Sequence, residues 1–228
     1  NSFQSFENTV NEIESYLCEL KESQIRTGLH IIGENISSKT LIDLTLAIAE
    51  ASTINRTGLH QAIINLLNLE LDYYIDEIDK NILERDLIIL RTTLSYTCHN
   101  KSQVLDLINH LARNIIIQLI GKQEIQELEN TKVKQFIELF IIESTNQQLI
   151  EDIKLKIING LQLSILNEKK SFLNAISGKR VSSGPSGAPS RGKVEVLPTG
   201  RNFFSVDLRG LPTETAAELG KRSAQKLL

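Results

Sequence analysis

Several residue types are missing or scarce in this chain of 228 residues, and each absence excludes something. There is no tryptophan and no methionine, and aromatic residues make up 5% of the chain. No apolar run is long enough to span a bilayer, and the opening NSFQSFENTV lacks the basic start and apolar stretch of a signal peptide. We therefore expect a cytoplasmic protein. Because methionine is absent even at position 1 and the closing TETAAELGKRSAQKLL reads as an unfinished helix, we expect a piece of a longer protein.

Cysteine and histidine are too few and too scattered to predict a metal centre. The two cysteines, Cys18 and Cys98, form neither a disulfide framework nor a CxxC motif, and we expect buried free thiols. None of the four histidines belongs to an HxxxH or HExxH pattern. His30 stands out because it lies in a predicted loop between Gly28 and Gly33, and loops tend to carry functional residues.

Proline and charge divide the chain at about residue 177. All four prolines and seven of the twelve glycines lie in residues 178–228. That tail carries nine Lys and Arg against four Asp and Glu, which leaves 16 and 24 of the totals of 25 and 28 for the first 177 residues. A basic tail on an acidic body is typical of a protein that meets an anionic partner, although a simply solvated tail has the same composition.

Helical periodicity dominates the first 177 residues. Apolar side chains step by three and four over residues 3–24, again from Leu41 to Ile48 behind the cap candidates Ser37 and Ser38, and again over residues 104–119 behind Asn100. Further helices are predicted over residues 130–143 and 146–176, the second with a possible break near Gly160. The predicted fold is mainly α: an all-helical array over 1–177, a Pro/Gly-rich loop region with a short hairpin over 178–212, and the start of a truncated helix over 213–228.

The string GAPSRGKV, which begins at Gly187, differs by one residue from the phosphate-binding pattern GxxxxGK[ST]. Such a loop needs a preceding buried strand, a hydroxyl residue after the lysine and a helix that follows directly. Here Val194 replaces the hydroxyl residue, Pro189 interrupts the loop, and the alternation over residues 193–197 predicts a short strand. The pattern therefore does not predict an ATP site.

The following run, LPTGRN, is typical of a turn. Proline in the second position and glycine in the fourth fit a type I turn over residues 197–200, which would project Arg201 and Asn202 from a rigid corner. Arginine there can bind a carboxylate or phosphate through two parallel hydrogen bonds. Equally, Arg201 can form an ion pair with Asp207 or with the acidic helical region.

These motifs together resemble a known family. The runs ESQIRTGLHIIG over residues 22–33 and GPSGAPSRGKVEVLPTGRNFFSVD over residues 184–207 resemble the large subunit of the aerobic, ATP-dependent cobaltochelatase, whose family includes the porphyrin-binding H subunit of magnesium chelatase. The forms GPSGAPSRG and PTGRN are more similar to the cobalt branch than to the GPGGDP and PTGKN forms of the magnesium branch. The sequence departs from the family at Ile32, where Phe is common, and over residues 181–183, where an aromatic residue and prolines are common.

The resemblance implies a function. The parent subunit would bind a corrin or porphyrin through its carboxylates and insert Co(II), or Mg(II) in the alternative branch, while separate AAA+ partner subunits bind ATP and Mg and hydrolyse the ATP. The ring carboxylates would be bound at six positions: Arg26, Arg191, Thr199, Gly200, Arg201 and Asn202. His30, or as second choice Asp207, would accept protons from the ring nitrogens, because an imidazole titrates near neutral pH.

Two other functional classes are weighed against this reading. The chain can instead be a helical scaffold that docks partner subunits without touching the ligand, in which case His30, Arg201 and Asn202 would lie apart on an outer surface. A nucleic-acid binder is disfavoured, because only Phe203 and Phe204 lie near the basic residues and no known binding module is present.

Overall fold

The computed structural model of the chain describes residues 32–50, 57–71, 82–121, 130–185, 187, 189–191, 193–203, 212 and 214–227. The helix predicted over residues 3–24 and Cys18 lie outside these ranges. Eight α-helices are found within them: α1 Ser38–Glu50, α2 Leu59–Leu67, α3 Glu84–Leu94, α4 Lys101–Ile120, α5 Thr131–Ile142, α6 Gln147–Glu151, α7 Asn159–Ile176 and α8 Glu214–Leu227.

Local capping explains where several helices begin and end. The Ser37 hydroxyl accepts a hydrogen bond from the Thr40 N–H at 3.1 Å, and the Asn100 side chain accepts one from the Gln103 N–H at 2.9 Å. Each satisfies a backbone donor that the first helical turn leaves unpaired. Gly121 ends α4 with φ of 76°, the left-handed conformation common at helix C-termini. The helices predicted behind Ser37 and Asn100 are confirmed.

The centre of the core is α4. It contacts α1, α2 and α5, and Ile108, Leu111 and Ile115 on it are fully buried. The run Ile115-Ile116 is buried on both residues because helices flank α4 on more than one side. Cys98, just before α4, is a buried free thiol as expected, and burial raises its pKa.

A continuous helical segment follows α5 and leads into α7. A short 3-10 turn, Ser144–Asn146, precedes α6, and a π-helical stretch, Asp152–Ile158, joins α6 to α7. The helix predicted over residues 146–176 is therefore confirmed, but it has no break near Gly160, which lies inside α7; the irregular part is the π-helical stretch, which ends two residues before Gly160. Among the described residues, no helix combines the length and hydropathy needed to cross a membrane.

The region after α7 differs from the predicted hairpin. Val194–Val196 forms a 3-10 turn, so the strand predicted over residues 193–197 is wrong. The two short strands present are β1 Ser183–Gly184 and β2 Asn202–Phe203, and they pair in parallel. The reason is burial: Val196 is 1% exposed, and Val194 and Leu197 pack against the helical core, so these residues face the helices instead of a partner strand.

A further 3-10 turn, Pro189–Arg191, contacts α1. The region therefore lies on the helical array through two short turns, this one and Val194–Val196, the second of which contacts the π-helical stretch. The mainly helical fold with a C-terminal helix is confirmed. The division at residues 177 and 212 stays a prediction.

Candidate functional site

The backbone of Thr199 and Gly200 is attached to α7 by three hydrogen bonds. The Thr199 N–H donates to the Ser164 hydroxyl at 2.8 Å. Asn167 Nδ2 donates to the Thr199 carbonyl at 3.2 Å, and the Ser171 hydroxyl donates to the Gly200 carbonyl at 2.7 Å. The Ser164 hydroxyl in turn donates to the Gly160 carbonyl at 2.8 Å, so its hydrogen-bonding capacity as both donor and acceptor is used.

These contacts correct the turn predicted over residues 197–200. Leu197–Pro198 is a cis peptide bond, and no hydrogen bond joins the Gly200 N–H to the Leu197 carbonyl within this described segment. A type I turn is therefore wrong here, and the Thr199 N–H and the carbonyls of Thr199 and Gly200 bond to side chains of α7. The hydrogen bonds that hold the corner come from α7 and not from within the turn.

Gly200 fits where no larger residue would. Its φ is +78°, and a Cβ atom at this position would lie 2.6 Å from the Glu168 nitrogen and 2.7 Å from the Ser164 carbonyl oxygen. These are backbone atoms of a helix and cannot move aside. Nearby, Leu197 occupies the space left by Gly160, where an added Cβ would lie 2.9 Å from the Leu197 Cβ. Glycine thus allows close contact on both sides of this interface.

Two contacts hold the guanidinium end of Arg201. Its guanidinium donates through Nη2 to the Val196 carbonyl at 3.1 Å, and its side chain lies against Gly184, where an added Cβ would be 2.2 Å from Nε. Nε is buried and has no hydrogen-bond partner among the described residues. Within the described part of the chain, no carboxylate forms an ion pair with Arg201, so the alternative of pairing with the acidic helical region finds no support there.

A second segment reaches α7 beside this corner. The Gly33 N–H donates to Glu168 Oε2 at 3.0 Å. Gly33 also adopts a left-handed φ of +75°, and a Cβ there would lie 2.7 Å from Lys169 Cγ. Glu168 directly follows Asn167, so α7 binds the end of residues 22–33 and the LPTGR corner within the same turn.

The structure brings part of the predicted site together. Thr199, Gly200 and Arg201 form one corner on α7, and the backbone of Asn202 continues it as strand β2. The backbone of Arg191 lies in the 3-10 turn against α1. Arg26, His30 and Asp207 lie outside the described residues. Among those described, no group of three His, Cys, Asp or Glu side chains is arranged to hold a metal ion.

Sequence reasoning missed the residues that support the corner. Gly160, Ser164, Asn167 and Ser171 step by four, three and four along α7 and therefore share one face of the helix. Small and polar residues at that spacing within a leucine-rich helix are the available signal. The opposite face carries exposed apolar side chains, with Leu166, Leu173 and Ile176 each at least 60% exposed.

Comparison with known proteins shows the family of the chain. The family model described as CobN/Magnesium Chelatase matches residues 1–228. The chain belongs to the CobN/magnesium chelatase family. It is 30% identical over 95% of its length to aerobic cobaltochelatase subunit CobN of Pseudomonas aeruginosa, and 31% identical over 98% to that of a Sinorhizobium species. It is 27% identical over 96% of its length to the chloroplastic magnesium-chelatase subunit ChlH of Oryza sativa subsp. japonica.

The family members are far longer than this chain. It spans 17% and 18% of the two CobN subunits and 16% of the ChlH subunit. The predicted family resemblance is confirmed, and identity to the cobaltochelatase subunits is somewhat higher than to the magnesium chelatase subunit.

Proposed function

We propose that this chain forms part of the tetrapyrrole-binding surface of a cobaltochelatase large subunit, which inserts Co(II) into a corrin ring in cobalamin biosynthesis. One observation carries the proposal. Gly33 and Thr199, which belong to the two runs that carry the family resemblance, are far apart in the chain and both bind α7 within one helical turn, at Glu168 and Asn167. A helical scaffold with an unrelated surface role gives no reason for these two segments to meet.

Arg201 is the residue proposed to bind the carboxylates of the ring. A guanidinium recognises a carboxylate through parallel N–H donors, and a fixed guanidinium loses little conformational entropy on binding. Contacts with Val196 and Gly184 hold the Arg201 side chain, and no carboxylate among the described residues forms an ion pair with it. Thr199, Gly200 and Asn202 would form the surrounding surface, and Arg191 and Arg26 are further candidates for ring carboxylates.

Proton removal from the ring nitrogens is assigned to His30, with Asp207 as the second choice. A neutral imidazole is suited to this step near pH 7, because its ordinary pKa lies close to that pH. His30 precedes Gly33 by three residues, and Gly33 is bonded to the same turn of α7 as the corner that carries Arg201.

Cobalt is proposed as the substrate metal in preference to magnesium. Identity to the two cobaltochelatase subunits is 30% and 31%, against 27% for the magnesium chelatase subunit, and the GPSGAPSRG and PTGRN forms agree with that order. Insertion assays on the full-length subunit with its partners should therefore proceed with Co(II) and a corrin. If the subunit inserts Mg(II) into a porphyrin and does not insert Co(II) into a corrin, the protein belongs to the magnesium branch.

ATP hydrolysis is proposed to take place on AAA+ partner subunits, which bind ATP and Mg, in the cytoplasm. In this chain the residues after Lys193 form a 3-10 turn, whereas phosphate loops continue into an α-helix whose N-terminus binds phosphate. The relatives are named as subunits, which fits a protein that works with other chains.

The experiment is a titration of a carboxylated corrin into the full-length subunit, followed by absorbance. Arg201→Ala is expected to weaken binding about 10- to 100-fold, the effect of losing a charge-assisted hydrogen bond. Arg201→Lys should recover only part of this, because an ammonium lacks the planar pair of donors. Arg85→Ala is the matched control, since Arg85 is exposed and pairs with Glu70 elsewhere on the array. Equal affinity for all four proteins would remove Arg201 from the binding site.

A second candidate function, docking of another subunit, is favoured by the apolar face of α7. Leu166, Leu173 and Ile176 are 61%, 60% and 67% exposed, more apolar surface than a helix usually leaves in water. If a partner subunit covers this face, Leu166→Glu with Leu173→Glu should abolish co-elution with the ATPase subunits and leave corrin binding unchanged. Unchanged co-elution would exclude docking there.

A further inference from the structure

The peptide unit that leads into Arg201 is fixed by a single side chain of α7. The Gly200 carbonyl belongs to the Gly200–Arg201 peptide, and it accepts the hydrogen bond of 2.7 Å from the Ser171 hydroxyl. The preceding carbonyl, that of Thr199, accepts from Asn167 Nδ2 at 3.2 Å. Two consecutive peptide planes are thus oriented from one helical face.

This anchoring determines where the guanidinium lies. A peptide plane that rotates carries the Cα–Cβ bond of the next residue with it, and the long arginine side chain amplifies a small rotation at its tip. The tip itself is tied to the Val196 carbonyl at 3.1 Å and rests on Gly184. If the backbone anchor is lost, that distal contact alone must hold the side chain, which has many rotamers available.

We propose that Asn167 and Ser171 are positioning residues for Arg201 in recognition of the ring carboxylates. Neither is proposed to touch the ligand. Both act by fixing the backbone through which Arg201 is presented, and their contribution to binding is therefore transmitted through Arg201. This inference rests on the proposed function, because it assigns Arg201 to the carboxylates of the macrocycle.

The test compares single and combined variants in the full-length subunit, with the affinity for a carboxylated corrin as the readout. Ser171→Ala and Asn167→Ala are each expected to weaken binding about 3- to 10-fold, the effect of one lost hydrogen bond. Ser171→Thr keeps the hydroxyl and should restore affinity to within about twofold of the wild type. In an Arg201→Ala background, Ser171→Ala should have no further effect, since the group it positions is gone.

A matched control separates positioning from general stability. Asn130→Ala removes the same type of bond, from a side-chain amide to a backbone carbonyl, since Asn130 Nδ2 donates to the Leu94 carbonyl; it also removes the N-cap bond that Asn130 Oδ1 accepts from the Lys132 N–H. It should lower the midpoint of thermal unfolding and leave corrin affinity unchanged. Asn167→Ala should lower the affinity for the corrin even when binding is measured at a temperature well below the unfolding midpoint of that variant.

The outcomes separate the two proposals. If Arg201→Ala weakens binding while Ser171→Ala and Asn167→Ala do not, the positioning role is wrong and the proposed function stands. Additive effects of Ser171→Ala and Arg201→Ala would also overturn the positioning role, because Ser171 would then act independently. If none of the variants alters binding, the proposed function fails and this inference fails with it.

Discussion

Gly33 and Glu168, separated by 135 residues in the chain, are joined by a hydrogen bond of 3.0 Å from the Gly33 N–H to Glu168 Oε2. The carboxylate belongs to the turn of α7 that also carries Asn167, whose amide binds the Thr199 carbonyl. The bond therefore places Gly33 on the same turn of α7 as the side chain that binds the corner with Arg201. Loss of this bond should change the position of Gly33 relative to the corner and leave the packing of the helical core unchanged.

If the chain acts as proposed, Glu168→Ala is expected to lower the kcat of metal insertion by about 3- to 10-fold, because the Gly33 N–H loses its acceptor and His30, the proposed proton acceptor, lies three residues before Gly33 in the chain. The affinity for the corrin should change by less than about twofold, since the bonds of Asn167 and Ser171 to the corner remain. Steady-state kinetics and a binding titration on the full-length subunit measure the two quantities.

Glu168→Gln is the conservative control for this prediction. The amide oxygen of glutamine can accept the Gly33 N–H, so kcat should recover to near the wild-type value. If Glu168→Gln is as slow as Glu168→Ala, the negative charge of Glu168 matters more than its hydrogen bond, and the anchoring argument is wrong.

Gly200→Ala is expected to destabilise the chain by about 2 to 4 kcal/mol, combining overpacking with a left-handed backbone conformation. The new Cβ would lie 2.6 Å from the Glu168 nitrogen. Gly121→Ala is the matched control: φ there is +76° and nothing lies within 4 Å of the added Cβ, so only the conformational cost of about 1 kcal/mol remains. Urea unfolding gives both values, and equal costs would show that the contact with α7 adjusts without penalty.

The helices could be predicted from the sequence because the signals that define them are local. Ser37 and Asn100 cap the helices that they precede in the chain, and the apolar periodicity behind them identifies the buried face of each helix. Helix α7 was also predicted, because its apolar periodicity extends across the π-helical stretch before it.

The conformation of the corner could not be predicted in the same way, because its partners are distant in the chain. The backbone groups of Thr199 and Gly200 bond to Ser164, Asn167 and Ser171, and a local turn rule does not include them. The alternation over residues 193–197 resembled a strand, but the apolar side chains there are buried against helices, which a 3-10 turn also permits.

Acid sensitivity should follow from His60. Burial against α4 lowers its pKa from 6.5 to about 4, partly offset by the hydrogen bond with Asn109. Since the unfolded chain binds a proton at about pH 6.5 and the folded chain does not until about pH 4, stability is lost as the pH falls through this window. Between pH 7.5 and 4.5 the loss from this residue should be about 2 to 3 kcal/mol.

His60→Gln removes this titration and should reduce the acid-induced loss of stability by that amount. Urea unfolding of both proteins at pH 7.5 and 4.5 provides the comparison, and the variant is expected to be less stable than the wild type only at the higher pH. An identical loss in both proteins would mean that His60 titrates normally in the folded chain.

Gly184→Ala should weaken corrin binding with little effect on folding. Its Cβ would lie 2.2 Å from Arg201 Nε and 2.5 Å from Cζ, but these atoms belong to the end of a flexible side chain that can swing away. The guanidinium would then lose its bond to the Val196 carbonyl, and affinity should fall towards that of Arg201→Ala, by about tenfold. Gly220→Ala, where nothing lies within 4 Å of the added Cβ, is the matched control and should bind normally.

Because the clash at Gly200 involves helix backbone and the clash at Gly184 involves a side-chain tip, the first substitution should cost mainly stability and the second mainly affinity. If Gly184→Ala binds the corrin normally while Arg201→Ala does not, the guanidinium can bind the ring without packing against Gly184.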